Sequence, residues 1–255
     1  MSRVLGVDRF ASAMSSHAGE YVLIGGGACS ILFDRAGQSF RATDDLDIVI
    51  LTDKCDPSFA RDFWSFVSAG SYRCGKRDEG RCSYYRFRLP QDSEVRFSLP
   101  AQIELFARHP DFILEDESSE IAPLPFDETV SSLSAIILDD GYYEFIRDNV
   151  VPVDGVPILS AIHIIPLKMR AHVDINDKYE QGRHCNERDL RKHRRDVAQL
   201  SGLLTQTSRL MLGGQMREDA ERFFVDFERY ALKETNRKKR AVLQEDLKLL
   251  RSVYL

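Results

Sequence analysis

Asp45 and Asp47 are separated by one residue in the run Asp44-Asp45-Leu46-Asp47-Ile48-Val49-Ile50-Leu51. The two-residue period of an extended chain sends both carboxylates to one face and turns Leu46 and Ile48 to the other. A strand anchored by burial of its apolar face can hold two hard oxygen ligands rigidly. That donor set suits Mg²⁺, which takes one or two carboxylates together with substrate phosphates and keeps several waters; Mn²⁺ is the alternative cation. A pair of metals about 3.5 to 4 Å apart needs another ligand from a neighbouring strand. Glu104 is the candidate, because Ile103 and Leu105 flank it and face a core by alternation, leaving Glu104 on the opposite side.

Upstream, the apolar run Tyr21 to Ile24 reads as a buried strand that meets Gly25, Gly26 and Gly27. A strand that passes through glycines into a helix exposes backbone N–H groups at the helix N-terminus, with no side chain in the way of phosphate oxygens. A triphosphate fits that chemistry. Arg41 and Thr43, at the corner leading into Asp44 and Asp45, are further candidates for contact with the nucleotide. Two rival motifs fail on their own terms. A P-loop ends in GK[ST], whereas Gly27 is followed by Ala28, Cys29 and Ser30. A dinucleotide-binding turn needs a third glycine where Ser30 stands, and its acid follows the second strand, whereas Asp45 and Asp47 open theirs. Each motif alone is matched by a tight turn or a polar loop; their conjunction in one strand, turn, helix, strand unit favours metal and nucleotide binding.

The remaining pattern supplies the scaffold. Helical spacing covers Asp8 to Ala18, Ala28 to Arg35 and Pro57 to Gly70, and strands are expected at Leu46 to Leu51, Tyr84 to Leu89, Gln102 to Phe106 and Leu133 to Leu138. The polar, proline-containing stretch 110–125 reads as loop, followed by a short helix around Tyr142 to Ile146. Beyond Pro157 the texture turns helical, over Ile158 to Ile175, Glu187 to Leu204, Glu218 to Leu232 and Arg237 to Leu250. Asp, Gly and Pro between Val153 and Pro157 suggest a boundary near residue 155.

Hydrophobic residues make up 43% of the 255 and charged residues 29%, which excludes a disordered chain. The longest apolar runs are too short to span a bilayer, which points to a cytoplasmic protein. Five scattered cysteines without a CxxC pair argue for reduced thiols over a disulfide framework or zinc site. A net charge of -5 argues against a uniformly basic nucleic-acid surface. Local basic faces remain at Arg183 to Arg195 and Arg237 to Arg240; each reads equally as a solvated helix face.

The run Ile24-Gly25-Gly26-Gly27-Ala28, then Arg41-Ala42-Thr43-Asp44-Asp45-Leu46-Asp47-Ile48, then Pro166-Leu167-Lys168-Met169-Arg170-Ala171, and finally Lys192-His193-Arg194-Arg195-Asp196-Val197 resembles the DNA polymerase β nucleotidyltransferase superfamily. More narrowly it is similar to the AbiEii-like nucleotidyltransferases of bacterial abortive-infection and type IV toxin–antitoxin systems. The resemblance implies an α/β (α+β) fold with a polymerase β-like mixed sheet flanked by helices. It places a nucleotidyltransferase domain at residues 1–155 and a C-terminal helical bundle at 156–255.

The resemblance also implies that Asp45 and Asp47 bind metal and that Lys168 reaches the nucleotide phosphates. An acidic residue from the later helix joins the site, with Asp189 and Asp196 competing for the role. Lys192 and His193 of the same segment are carried as nucleotide-binding candidates; read without the family, Lys168 snorkels to solvent and His193 is a surface or capping residue. The serine that often follows the first glycine is absent here, so a hydroxyl contact to the triphosphate comes from elsewhere or is missing. The implied reaction moves a nucleoside monophosphate from an NTP to an acceptor hydroxyl. RNA such as tRNA is the acceptor expected from the resemblance, and a cognate antitoxin the expected protein partner, with no membrane involved. A small-molecule or protein acceptor, and a nucleotide-binding module without catalysis, are the alternatives.

Overall fold

A computed structural model of the chain describes residues 5–51, 53, 57–76, 82–108, 121–123, 134–182 and 187–255. It divides into two compact units, Met1–Leu159 and Ser160–Leu255.

Among the described residues of the first unit, helices α1 (Val7–Ala13), α2 (Gly25–Arg35), α3 (Pro57–Ala69) and α4 (Asp140–Asp148) accompany nine strands. These are β1 (Tyr21–Ile24), β2 (Asp45–Ile50), β3 (Arg73–Lys76), β4 (Cys82–Arg88), β5 (Gln102–Arg108), β6 (Ile121–Pro123), β7 (Ser134–Leu138), β8 (Val150–Val153) and β9 (Val156–Leu159). One mixed sheet runs in the order β3-β4-β5-β2-β1-β9-β8. Strand β2 is antiparallel to β1 and parallel to β5. The far edge of β5 is shared, pairing with β4 through Gln102 to Glu104 and with β7 through Phe106 to Arg108.

The alternation that orients Asp45 and Asp47 is enforced by burial. Leu46 and Ile48 on β2, Ile103 and Leu105 on β5, and Phe87 on β4 are fully enclosed on one face of the sheet. Burying each such side chain stabilises the fold by about 1.5–3 kcal/mol, so a one-residue slip of either strand is strongly disfavoured. Aromatic rings from the helices close this face. Phe10 meets Tyr21 edge-on at 5.5 Å and Phe66 at 5.3 Å, and Phe63 and Trp64 meet Phe87 at 5.4 and 5.5 Å.

The stretch 153–157, where the sequence suggests a boundary, holds the turn of the β8–β9 hairpin, and the two units divide just beyond it, between Leu159 and Ser160. Asp154 and Gly155 adopt left-handed φ values of 51° and 80° between the paired Val153 and Val156, the conformation that a two-residue hairpin loop demands. Strand β9 then joins β1 in parallel, so Ile158, expected to open a helix, sits in the sheet instead. Residues 121–123, expected as loop, form β6 against β7, while 109–120 and Leu133 lie outside the described residues.

The second unit consists of α5 (Ala161–Glu180), α6 (Glu187–Ser201), α7 (Gly214–Lys233) and α8 (Arg237–Tyr254). Phe223, Phe224, Phe227, Leu250 and Tyr254 are among its fully buried side chains. Asn236 starts α8 by accepting hydrogen bonds from the N–H groups of Lys238 and Lys239. Pro166 lies inside α5 and cannot donate to the carbonyl of Ile162 one turn back; the Tyr254 hydroxyl donates to that oxygen instead, at 2.8 Å. Among the described residues no helix is long and apolar enough to cross a membrane.

Candidate functional site

Strand β1 ends at Ile24, directly opposite Asp47 of β2, and the chain turns at once into α2. The glycines are therefore the first turn of the helix and not a loop before it. A Cβ on Gly25 would lie 1.8 Å from Asp47 Oδ2, and Gly25 has φ +68°, so position 25 admits no side chain on two independent grounds. The Asp47 carboxylate thus packs directly over the start of α2. A Cβ on Gly26 would meet Thr43 Oγ1 at 2.6 Å. The Thr43 hydroxyl thus lies against the glycine turn. Gly27 differs: its nearest neighbours, Leu23 and Leu46 at 3.5 Å, are ordinary core contacts.

Asp45 and Asp47 are half-exposed on the sheet face opposite the apolar core. In the β2–β5 register Asp45 stands beside Gln102 and Asp47 beside Glu104. Continuing across the sheet, Arg86 of β4 stands beside Glu104 and Arg88 beside Gln102. Side-chain bonds follow this register. Arg86 Nε donates to Glu104 Oε1 in an ion pair, Gln102 Nε2 donates to the same oxygen at 3.1 Å, and Arg88 Nε donates to Gln102 Oε1 at 2.6 Å. Glu104 is thus level with Asp47, as the alternation of β5 requires, but its carboxylate is held by a cation. Among the described residues no three His, Cys, Asp or Glu side chains converge as a metal-binding group. Asp45, Asp47 and Glu104, expected together as a three-carboxylate centre, lie on neighbouring strands in register, and Glu104 Oε1 is engaged by Arg86 and Gln102. Two hard carboxylates remain, and they fit a cation that completes its shell with phosphates and water.

Arg41 sits before this strand, its guanidinium 5.2 Å over the Phe40 ring and its Nη1 donating to the Ala42 carbonyl at 3.5 Å. Sequence reasoning missed Arg86, Arg88 and Gln102. The Tyr-Arg-Phe-Arg alternation marks β4 as a strand, yet only the β4–β5 register reveals which carboxylate its arginines meet.

The helical unit brings together a second set of the expected residues. Lys168 Nζ lies 3.1 Å from the Asp196 carboxylate, with side chains 6% and 0% exposed, so Lys168 does not snorkel to solvent. His193 is set close to this pair. Burial first, and then the charge of Lys168, push its pKa down to about 3, and its Nδ1 is buried with no hydrogen-bond partner among the described residues. The ring is neutral at physiological pH and too weak a base for proton transfer there. Lys192 is half-buried on α6, and the side chain of Asp189 lies outside the described residues.

Nearby charges in this unit are also satisfied internally. His172 contacts the Leu190 carbonyl through Nδ1 at 3.2 Å and the Asp226 carboxylate through Nε2 at 2.7 Å. The hydrogen bond from His172, opposed by burial, holds the Asp226 carboxyl below its ordinary range. Arg194 donates to the same carboxylate at 3.3 Å and lies 3.7 Å from the centroid of the Tyr230 ring. One residue of the basic segment is accordingly built into the bundle, while Arg188, Arg191 and Arg195 stay exposed. A cleft of about 320 Å³ in this unit is lined by His172, Asn176, Arg222, Asp226 and Arg229, among others. Its charged groups are largely paired, Arg222 with Asp177 and Asp226 with His172.

Compared with known proteins, the chain matches no family model, no curated protein and no solved structure.

Proposed function

We propose that the chain is a Mg²⁺-dependent nucleotidyltransferase that transfers a nucleoside monophosphate from an NTP to an acceptor hydroxyl. The observation that carries this reading is the Asp47 carboxylate packed on Gly25 at the first turn of α2, with Asp45 on the same half-exposed sheet face. The first N–H groups of a helix have no partner within it and attract anions; glycine at positions 25 and 26 brings no side chain of its own to this turn, against which Asp47 and Thr43 pack. Asp45 and Asp47 are the residues that hold the cation, which supplies charge neutralisation for the triphosphate and the departing pyrophosphate.

In the proposed reaction an acceptor oxygen forms a bond to the α-phosphorus as the bond from that phosphorus to the bridging oxygen of pyrophosphate breaks in line. The protein's own contribution is positioning and fixed charge rather than covalent chemistry. Thr43 offers a hydroxyl to the nucleotide at the glycine turn, and Glu104 stands beside Asp47 on the neighbouring strand. The motif resemblance supports RNA such as tRNA as the acceptor, and a toxin–antitoxin or abortive-infection setting of the AbiEii-like kind.

The test is transfer of label from each α-labelled NTP to total RNA with Mg²⁺ or Mn²⁺. We expect transfer by the wild type and a loss on the order of 10³-fold in Asp45→Ala and Asp47→Ala. Transfer that survives both substitutions overturns the proposal. Metal-dependent NTP binding without transfer to RNA, small-molecule or protein acceptors favours a nucleotide-binding module.

A further inference from the structure

The acid pair has an unusual neighbour. In the three-carboxylate centre that the sequence suggests, the side chain level with Asp47 on the neighbouring strand would contribute its negative charge to the metal. Here that position holds Glu104, and the next strand places Arg86 directly beside it. Glu104 Oε1 accepts from both Arg86 and Gln102, and Arg88 in turn anchors Gln102 through its own side-chain oxygen. Glu104 is largely covered, its side chain 15% exposed, and Arg86 is 35% exposed. The cation is therefore not a solvated arginine that brushes a surface acid. Its partner is fixed by a glutamine, and the glutamine is fixed by a second arginine.

We propose that Arg86 is a positioning residue that acts as a built-in cation at the third-carboxylate position, withholding Glu104 and limiting the site to one divalent ion on Asp45 and Asp47. This rests on the reading of the acid pair as a metal site. Adjacent strands are about 4.8 Å apart, so Glu104 stands one strand from Asp47 and Arg86 two. Paired, Glu104 and Arg86 nearly cancel at the acid pair; with Arg86 neutralised by substitution, Glu104 adds a full negative charge at close range. One extra charge about 6 Å from a divalent ion at a wet surface strengthens binding by about tenfold.

The consequence is measurable without catalysis. Mn²⁺ alone is titrated by calorimetry into the full-length wild type, Arg86→Gln, Arg86→Lys and the double variant Arg86→Gln/Glu104→Gln, each checked for its fold by circular dichroism. The inference predicts one weak Mn²⁺ site in the wild type, about tenfold tighter binding or a second ion in Arg86→Gln, and wild-type behaviour in Arg86→Lys. The double variant returns to within about twofold of the wild type, because the gain travels through Glu104. A purely structural Arg86 would not tighten metal binding. Equal affinity and stoichiometry in the wild type and Arg86→Gln overturn the inference and leave the acid pair standing as a metal site. A gain retained in the double variant overturns it too. Failure of every protein to bind Mn²⁺ at millimolar concentration overturns both the inference and the reading of the acid pair.

Discussion

In the sheet unit Asp45 and Asp47 stand half-exposed as like charges on one face, whereas in the helical unit Lys168 and Asp196 are enclosed as an opposite pair, 6% and 0% exposed. The two arrangements cost and offer different things. A buried pair has already lost its water, and each member depends on the other; removing one leaves a stranded charge. A half-exposed acid pair keeps part of its solvation, and a ligand cation would relieve the repulsion between its like charges. Structural dependence is thus concentrated in the bundle, and ligand capacity in the sheet.

The largest effect expected from this contrast is on Lys168. Lys168→Ala takes the ammonium away from the buried Asp196 carboxylate and lowers the stability of the helical unit by about 3–5 kcal/mol, read as a fall in the urea midpoint. Lys168→Met combined with Asp196→Leu recovers most of the loss, and a single substitution that costs nothing would erase the contrast. Next is the bond that compensates for Pro166. Tyr254→Phe strands the Ile162 carbonyl and costs about 1–2 kcal/mol, while Pro166→Ala in that background restores an N–H donor and returns part of it.

A smaller effect tests where the sheet unit departs from the pattern. His17 is buried there between Glu20 and Asp62, at 2.8 and 2.9 Å. Burial pulls its pKa down, but the bonds and charges of Glu20 and Asp62 outweigh that and raise it above the ordinary 6.5. Folding therefore favours the cation. This stabilisation is fully present below pH 6.5 and is lost as the pH rises through the raised value. The stability gap between wild type and His17→Gln should shrink from acid to alkaline pH. Asp226 in the bundle has the opposite sign, since its carboxyl is held low; its contribution is present above the ordinary carboxylate value and fades as the pH falls through the lowered one.

What the sequence made legible follows the range of the signals. Strand β1, the glycine turn and β2 are local, and alternation alone assigned the faces of Asp45, Asp47 and Glu104. The four C-terminal helices were visible because their apolar spacing persists over several turns. The β8–β9 hairpin was passed over although Asp154-Gly155 is a strong two-residue turn signal, since Pro152 and Pro157 resemble loop residues. They stand opposite each other in the register, a pairing that composition does not suggest. The Arg86–Glu104 and His172–Asp226 pairs join residues 18 and 54 positions apart, and only tertiary register creates them. Lys168 illustrates the same limit: its chain position suggests solvent, and only the packing of α5 on α6 encloses it.

The most direct test of the central claim is binding of a non-hydrolysable NTP to the full chain, measured by calorimetry with and without Mg²⁺, for the wild type and Asp47→Asn. The account predicts binding that requires Mg²⁺ in the wild type and falls at least tenfold in Asp47→Asn while the fold is kept. Binding of equal strength without the cation, or undiminished in Asp47→Asn, would contradict it.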